Sequence, residues 1–334
     1  MTLKYWLVWL ALLWSIAQAC PAAVSPASIA IVVNRNDPDS LAAGQYYLTA
    51  RRIPPQNLFY VKLPLQGQID AAAFTQAKAE LDAALPAHIQ FLALAWTLPF
   101  RVDCMGITAA FSLGFATDHC ATGCTPTRRS PYFGSTSAAP FTDLGLRPSM
   151  LLAGSDLNAV KALIGRGVQS DGTFPLNGDG YVLATSDTQR SVRAQSPQLV
   201  STKDHLLRKT QREYLQNTRN ILFYFTGAEQ VPMLNSNQFL PGAVGDHLTS
   251  FGGVLVGGSQ MSALRWLDAG VTGSYGTVVE PCNFPHKFPL PEAVSLFYQR
   301  GDSLIEAYWK SVQMPGQGVF VGEPLAAPFS RRQQ

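Results

Sequence analysis

The chain has 334 residues, 47% of them hydrophobic, enough to bury a large core and to form one large or two ordinary domains. Its 25 Lys and Arg against 22 Asp and Glu leave a net charge of only +3, and charged residues make up 14%. That balance lacks the basic stripe on which phosphate recognition depends, so a nucleic-acid partner is excluded; the two densest basic clusters, TRRS (127–130) and RKTQR (208–212), read as solvated loop or helix face.

The first residues, MTLKYWLVWLALLWSIAQAC, set Lys4 ahead of an apolar run over 5–14, followed by Ala17-Gln18-Ala19, the small-x-small pattern that signal peptidase accepts. Residues 1–19 are therefore expected to be a signal peptide. The mature chain is expected to be exported to a periplasmic, outer-membrane-associated or extracellular location. No other apolar stretch reaches the roughly 18 residues of a membrane span, so none is expected in the mature part. Cys20, first after the cut, is a lipidation candidate that would anchor the chain to a membrane.

Residues 29–34 (IAIVVN) read as a strand, and 39–50 as a helix with Asp39 or Ser40 as its cap, closed by Pro54. A strand over 57–65, a helix over 70–85 stopped by Pro86, and a nearly all-apolar strand over 89–100 follow. From 102 to 143 the periodicity lapses into Gly, Ser, Thr and Pro, a long loop or insertion holding three of the five cysteines. Order returns with a helix at 157–166 and a strand at 180–186, and the polar stretch 189–219 reads as a surface helix followed by a connection. The last third continues with a strand at 220–227, an extended element near 243–250, a helix at 260–269 capped by Gly270, and a strand at 274–280. Helices at 291–299 and 302–312 precede a late strand and a Pro-locked turn within 318–329.

Strands alternating with helices predict an α/β fold: a doubly wound, mostly parallel sheet with helices on both faces. The expected organisation is one domain over 20–330, with the cysteine-containing insertion near 102–150 and a subdomain near 150–219.

In an exported chain the cysteines read first as disulfide candidates. Cys120 and Cys124 are close enough to bridge each other, and either can reach Cys104, which leaves one of the three and Cys282 without an obvious partner. A zinc set of Cys104, His119, Cys120 and Cys124 is the alternative, disfavoured by an oxidising compartment.

Two residues combine reactivity with context. His247 lies in GAVGDHLTSFGG, and Cys282 follows the next helix and strand. Ends of adjacent parallel strands lie about 5 Å apart, so the two residues can meet. There a Cys282 thiolate would attack a carbonyl carbon with His247 as general base and acid. The backbone amides near Gly252 and Gly253 and that of Cys282 are the oxyanion candidates. Asp246 and Glu280 are candidates to orient His247 or to recognise a basic substrate side chain. Asn34, Asn36 and Asp37, after the first strand, are candidates to line the same carboxyl edge, and Asn-Asp-Pro is equally an ordinary turn signal. Glu306 and Glu323 are read as structural, and Trp96, Trp266 and Trp309 as core.

The blocks GAVGDHLTSFGG, GSYGTVVEPCNFPHKFP, SLIEAYWKSV and VFVGEPLAAPF, with VVNRNDPDSLAAGQYYLTARRIP near the N-terminus, resemble an uncharacterised bacterial family of exported proteins. Their order is similar to the caspase-haemoglobinase fold of gingipain and clostripain. That resemblance implies a caspase-like sheet, with the catalytic His after one strand and the Cys after the next, at His247 and Cys282, and GEPLAAPF resembles the Gly-Asp-Pro turn late in the gingipain catalytic domain. The sequence departs from gingipain-like enzymes in following His247 with Leu248 rather than Gly. The expected function is a cysteine peptidase using a Cys282–His247 dyad, with no cofactor or metal. The alternative is a non-catalytic caspase-like envelope protein that binds a peptide or protein partner.

Overall fold

The computed structural model describes residues 24–121, 124–195 and 207–330. The expected signal peptide and Cys20 lie outside these residues, as do Lys203 and His205.

The elements follow in chain order. β1 (Ile29–Asn34), α1 (Pro38–Ala50), β2 (Leu58–Val61), β3 (Gln68–Ile69), α2 (Ala71–Ala84), β4 (Phe91–Leu94), β5 (Arg101–Val102) and β6 (Met105–Gly106) open the fold. Next come α3 (Ile107–Leu113), α4 (Pro140–Leu144), β7 (Ser149–Leu151), α5 (Leu157–Ser170), β8 (Asp179–Ala184), β9 (Leu207–Gln211), β10 (Ile221–Gly227) and β11 (Phe239–Leu248). Then α6 (Leu264–Asp268), β12 (Gly273–Thr277), α7 (Pro291–Gln299), α8 (Leu304–Ser311) and β13 (Gly318–Gly322) complete it.

Ten strands form one sheet in the order β2-β1-β4-β7-β13-β12-β11-β10-β8-β9. The remaining three, β3, β5 and β6, make a small separate sheet. The expected mixed α/β class with a large, mostly parallel sheet flanked by helices is what the structure shows. β1 and β4 are buried at every position, as strands covered on both faces must be.

One pair breaks the parallel order. β12 and β13 are antiparallel, with Gly273 opposite Gly322 and Thr277 opposite Gly318. β13 is parallel to β7, and β12 to β11. The sheet is therefore two parallel halves pointing in opposite directions, joined at this seam. The cause is the helix pair between the two strands. One crossover helix carries a chain back to its starting edge and yields a parallel neighbour. Here α7 carries it back and α8 carries it forward again, so β13 starts at the edge where β12 ended. Gly301, at φ 98°, makes the turn between the two helices.

The remaining departures from the sequence reading are local. The stretch 102–143 is no continuous loop: α3 sits inside it, buried almost throughout, its hydrophobic residues packed beside β7 and β13. Among the described residues of the 189–219 stretch there are a short 3₁₀ segment, Arg190–Gln195, and the edge strand β9. Trp96, Trp266 and Trp309 are core, at most 2% exposed. Glu323, wholly buried, holds Arg51 and accepts from Tyr47 Oη at 2.5 Å; Arg51 also reaches Asp171. The last turn of α1 is thereby tied to the segments that follow β13 and α5. Glu306 closes a capping box with Ser303 at the start of α8.

Candidate functional site

Neighbouring residues of a strand face opposite sides of a sheet, and Asp246 and His247 do so at the end of β11. His247 is fully buried. Its Nδ1 accepts from the indole N–H of Trp266 at 2.9 Å, and its Nε2 lies 3.0 Å from the Met261 carbonyl. An indole nitrogen only donates, so Nδ1 carries no proton; the ring proton sits on Nε2 and is donated to Met261. Burial pushes this imidazole down to about 3, against the pull of the Met261 carbonyl. Gly245 makes the contact possible, because a Cβ there would lie 2.8 Å from the Trp266 ring.

Asp246, also fully buried, does not orient His247. Its Oδ1 pairs with Arg193 at 2.5 Å, and the same guanidinium donates to the Thr226 carbonyl at 2.9 Å and the Pro289 carbonyl at 3.1 Å. Burial raises the Asp246 carboxyl to about 6, and the Arg193 guanidinium beside it pulls the other way. The arrangement pins the 3₁₀ segment Arg190–Gln195 to β11. It presents no carboxylate to a substrate.

β11 and β12 are parallel neighbours, yet Cys282 lies five residues beyond the end of β12 and its sulfur is bonded to Cys124. The other bridge joins Cys104 to Cys120. The expectation that Cys282 is a free nucleophile is corrected by this bridge, as is the zinc set, whose three cysteines are all in disulfides. Cys282 and Asn283 both have left-handed backbone, φ 58° and 52°, and Cys282 N–H donates to Glu280 Oε1 at 2.7 Å. Glu280 thus holds a tight turn rather than a substrate. Gly253 N–H donates to the Thr277 carbonyl at 2.8 Å, and the Gly252 carbonyl accepts from Ala263. The Gly253 and Cys282 amides proposed for an oxyanion are therefore already engaged. Gly276 allows this loop to lie against β12, since a Cβ there would stand 2.2 Å from the Gly252 carbonyl carbon.

Lys287 is wholly buried, and its Nζ has no hydrogen-bond partner among the described residues. Burial lowers it to about 8 despite the Glu280 carboxylate. Cysteine arithmetic was the missed signal: setting Cys20 aside, an exported chain with four cysteines suggests two bridges, which gives Cys282 a partner.

A cleft opens at the opposite edge, where β1, β4 and β7 end. Its volume is about 290 Å³. Asp37, Asp39 and Ser40 enter from the start of α1, Trp96 to Leu98 from the turn after β4, and Gly154 to Leu157 from the start of α5. Asp37 and Asp156 are N-caps, accepting from Asp39 N–H at 3.0 Å and Ala159 N–H at 2.8 Å. Thr97 Oγ1 donates to the Gly154 carbonyl at 2.9 Å and ties the second and third walls together. Two rim residues, Leu65 and Val256, are 51% and 55% exposed. The Asn34 side chain shapes the approach by bonding both the N–H and the carbonyl of Leu63.

The cleft corrects the placement of Asn34, Asn36 and Asp37. They stand at the carboxyl edge of their own half-sheet, across the sheet from the carboxyl end of β11. Asp156 and Val256 were not singled out from the sequence, and Asp39 was read only as a cap of the first helix, a place that Asp37 takes. The available signal was the capping aspartate directly after each of two strands, in NDPDS and GSDL.

No family profile and no curated protein matches the chain. A solved structure described as "Structure of Protease" is similar over 91% of this chain and 79% of that one, at 8% identity and a TM-score of 0.44. No helix among the described residues is long and apolar enough to cross a membrane.

Proposed function

We propose that the protein is an exported, non-catalytic member of the caspase-like α/β class, which holds a peptide segment of a partner protein in the cleft at the ends of β1, β4 and β7. The observation that carries this reading is the contrast in availability. The cleft is a concavity of about 290 Å³ with exposed apolar side chains at its rim. Cys282 is in a disulfide, and both ring nitrogens of His247 are hydrogen-bonded. Carboxyl ends of parallel strands are where open α/β sheets place their ligands. The two disulfides fit an oxidising compartment and support export.

The test has two arms. A panel of thiol-directed acyloxymethyl ketones and fluorogenic peptides is applied to the folded wild type and to Cys282→Ala and His247→Ala. The expected result is no labelling or turnover that depends on either residue; dependence on both would establish the peptidase instead. In the second arm a peptide array is probed with wild type, Leu65→Ser and Val256→Ser. Capture is expected to fall in both variants, and unchanged capture would remove the cleft from the reading.

A further inference from the structure

Resting on the binding reading, we propose that the cleft selects a basic side chain, arginine or lysine, next to an apolar residue in an exposed segment of a partner protein. The apolar part comes from the rim. Leu65 and Val256 stand more than half exposed on opposite sequence segments of one concavity, and exposed large apolar side chains grouped at a cleft mark contact surfaces.

The volume narrows the occupant. At about 290 Å³ the cleft lies at the lower limit of the roughly 300–1,000 Å³ typical of small-molecule sites. That is room for one long side chain and adjoining backbone rather than for a nucleotide. A Lys or Arg stem can lie along the apolar wall of Ala43, Leu152 and Val160 while its charged end stays near the polar mouth.

Charge complementarity then chooses the head group. Three carboxylates, Asp37, Asp39 and Asp156, line the cleft, and no Lys or Arg does. Each of the two helix N-termini supplies about half a positive charge, so together they offset only about one of the three negative charges. Two cations near the same elements are engaged with rings: Lys161 lies over Tyr46, and Arg35 over Tyr60. The two capping aspartates each use one oxygen on a helix N–H, which leaves the other oxygen to accept from a guanidinium or ammonium.

The experiment is fluorescence anisotropy with the disulfide-intact protein and labelled octapeptides that differ at one position: arginine, its neutral isostere citrulline, or glutamate, beside a leucine. Arginine is expected to bind at least tenfold more tightly than citrulline, and glutamate weakest of all. Asp39→Asn, an exposed change that leaves both caps in place, is expected to reduce that preference several-fold with an unchanged melting temperature. Binding that is weakened by Val256→Ser yet equal for arginine and citrulline overturns the charge selection and leaves the peptide-binding reading standing. If no peptide binds in a Val256-sensitive way, the binding reading itself falls, and this inference with it.

Discussion

The two edges of the sheet are built from the same kind of strand ends and treated in opposite ways. Where β11 and β12 end, the groups read as catalytic are tied up: the imidazole of His247 between Trp266 and Met261, the Gly253 amide on Thr277, the Cys282 amide on Glu280, and the sulfur of Cys282 on Cys124. Where β1, β4 and β7 end, two helix caps and a turn stand apart around an open cleft. Residue types that carry chemistry are thus concentrated at the closed edge, and room for a ligand lies at the open one. Reactivity of a residue type says little until its donors, acceptors and solvent access are accounted for.

The largest expected effect that sharpens this contrast is covalent. The Cys124–Cys282 bridge closes a sequence separation of 158 residues and Cys104–Cys120 one of 16, and the two loops do not overlap. Chain-entropy reasoning gives about 5 kcal/mol for the long loop and about 3 kcal/mol for the short one. Urea unfolding of Cys124→Ser/Cys282→Ser and of Cys104→Ser/Cys120→Ser is expected to rank them in that order. Equal losses would show that the closed edge does not depend on its long-range bridge.

Next comes His247. Its folded pKa of about 3 lies below the ordinary 6.5, so on acidification the unfolded chain takes up the proton first. The stabilising contribution of the neutral ring is whole above about pH 6.5 and drains away as the pH falls toward 3. Between pH 6.5 and 4 the difference in unfolding free energy between wild type and His247→Gln is expected to shrink by roughly 3 kcal/mol. The difference is the quantity to measure, because Asp246 is raised to about 6 and works in the opposite sense. Its protonated form favours the folded chain, a contribution present below about 3.8 and lost as the pH rises through 6. A ring that titrates near 6.5 by NMR would reopen the closed edge to proton transfer.

The smallest stability effects belong to the open edge. Asp39→Asn and Val256→Ser alter exposed side chains, and their unfolding free energies are expected to stay within about 0.5 kcal/mol of wild type. A larger loss at either would mean that the cleft wall carries fold stability, and would blur the distinction between the edges.

Local signals in the sequence identified most elements. IAIVVN is β1 residue for residue, 291–299 is α7, and Asp70 caps α2 by accepting from Ala73 N–H. β9 and α3 escaped for different reasons. LRKTQ has no alternation to announce a strand, being an edge paired on one side only, and ITAAFSL is too short and evenly apolar to show a helical period. The seam was legible in principle, because two helices stood back to back between the last two strands, and an even number of crossings reverses the strand. The candidate site was less legible. The adjacency of β11 and β12 could be read from a strand-helix-strand spacing, but the tautomer of His247 depends on Trp266, and Trp266 reaches it only because residue 245 is glycine. Such a contact is set by packing in three dimensions and leaves no periodic trace.

The long bridge also has a topological consequence. β7 through β12, with every loop between them, lie between Cys124 and Cys282, so a single protease cut anywhere in that span leaves the two fragments joined. The nicked protein keeps its full mass until a thiol reductant is added and then separates into two pieces. A second cut in the same span frees the piece between the two cuts, so the bridge holds the chain together against one nick and no more.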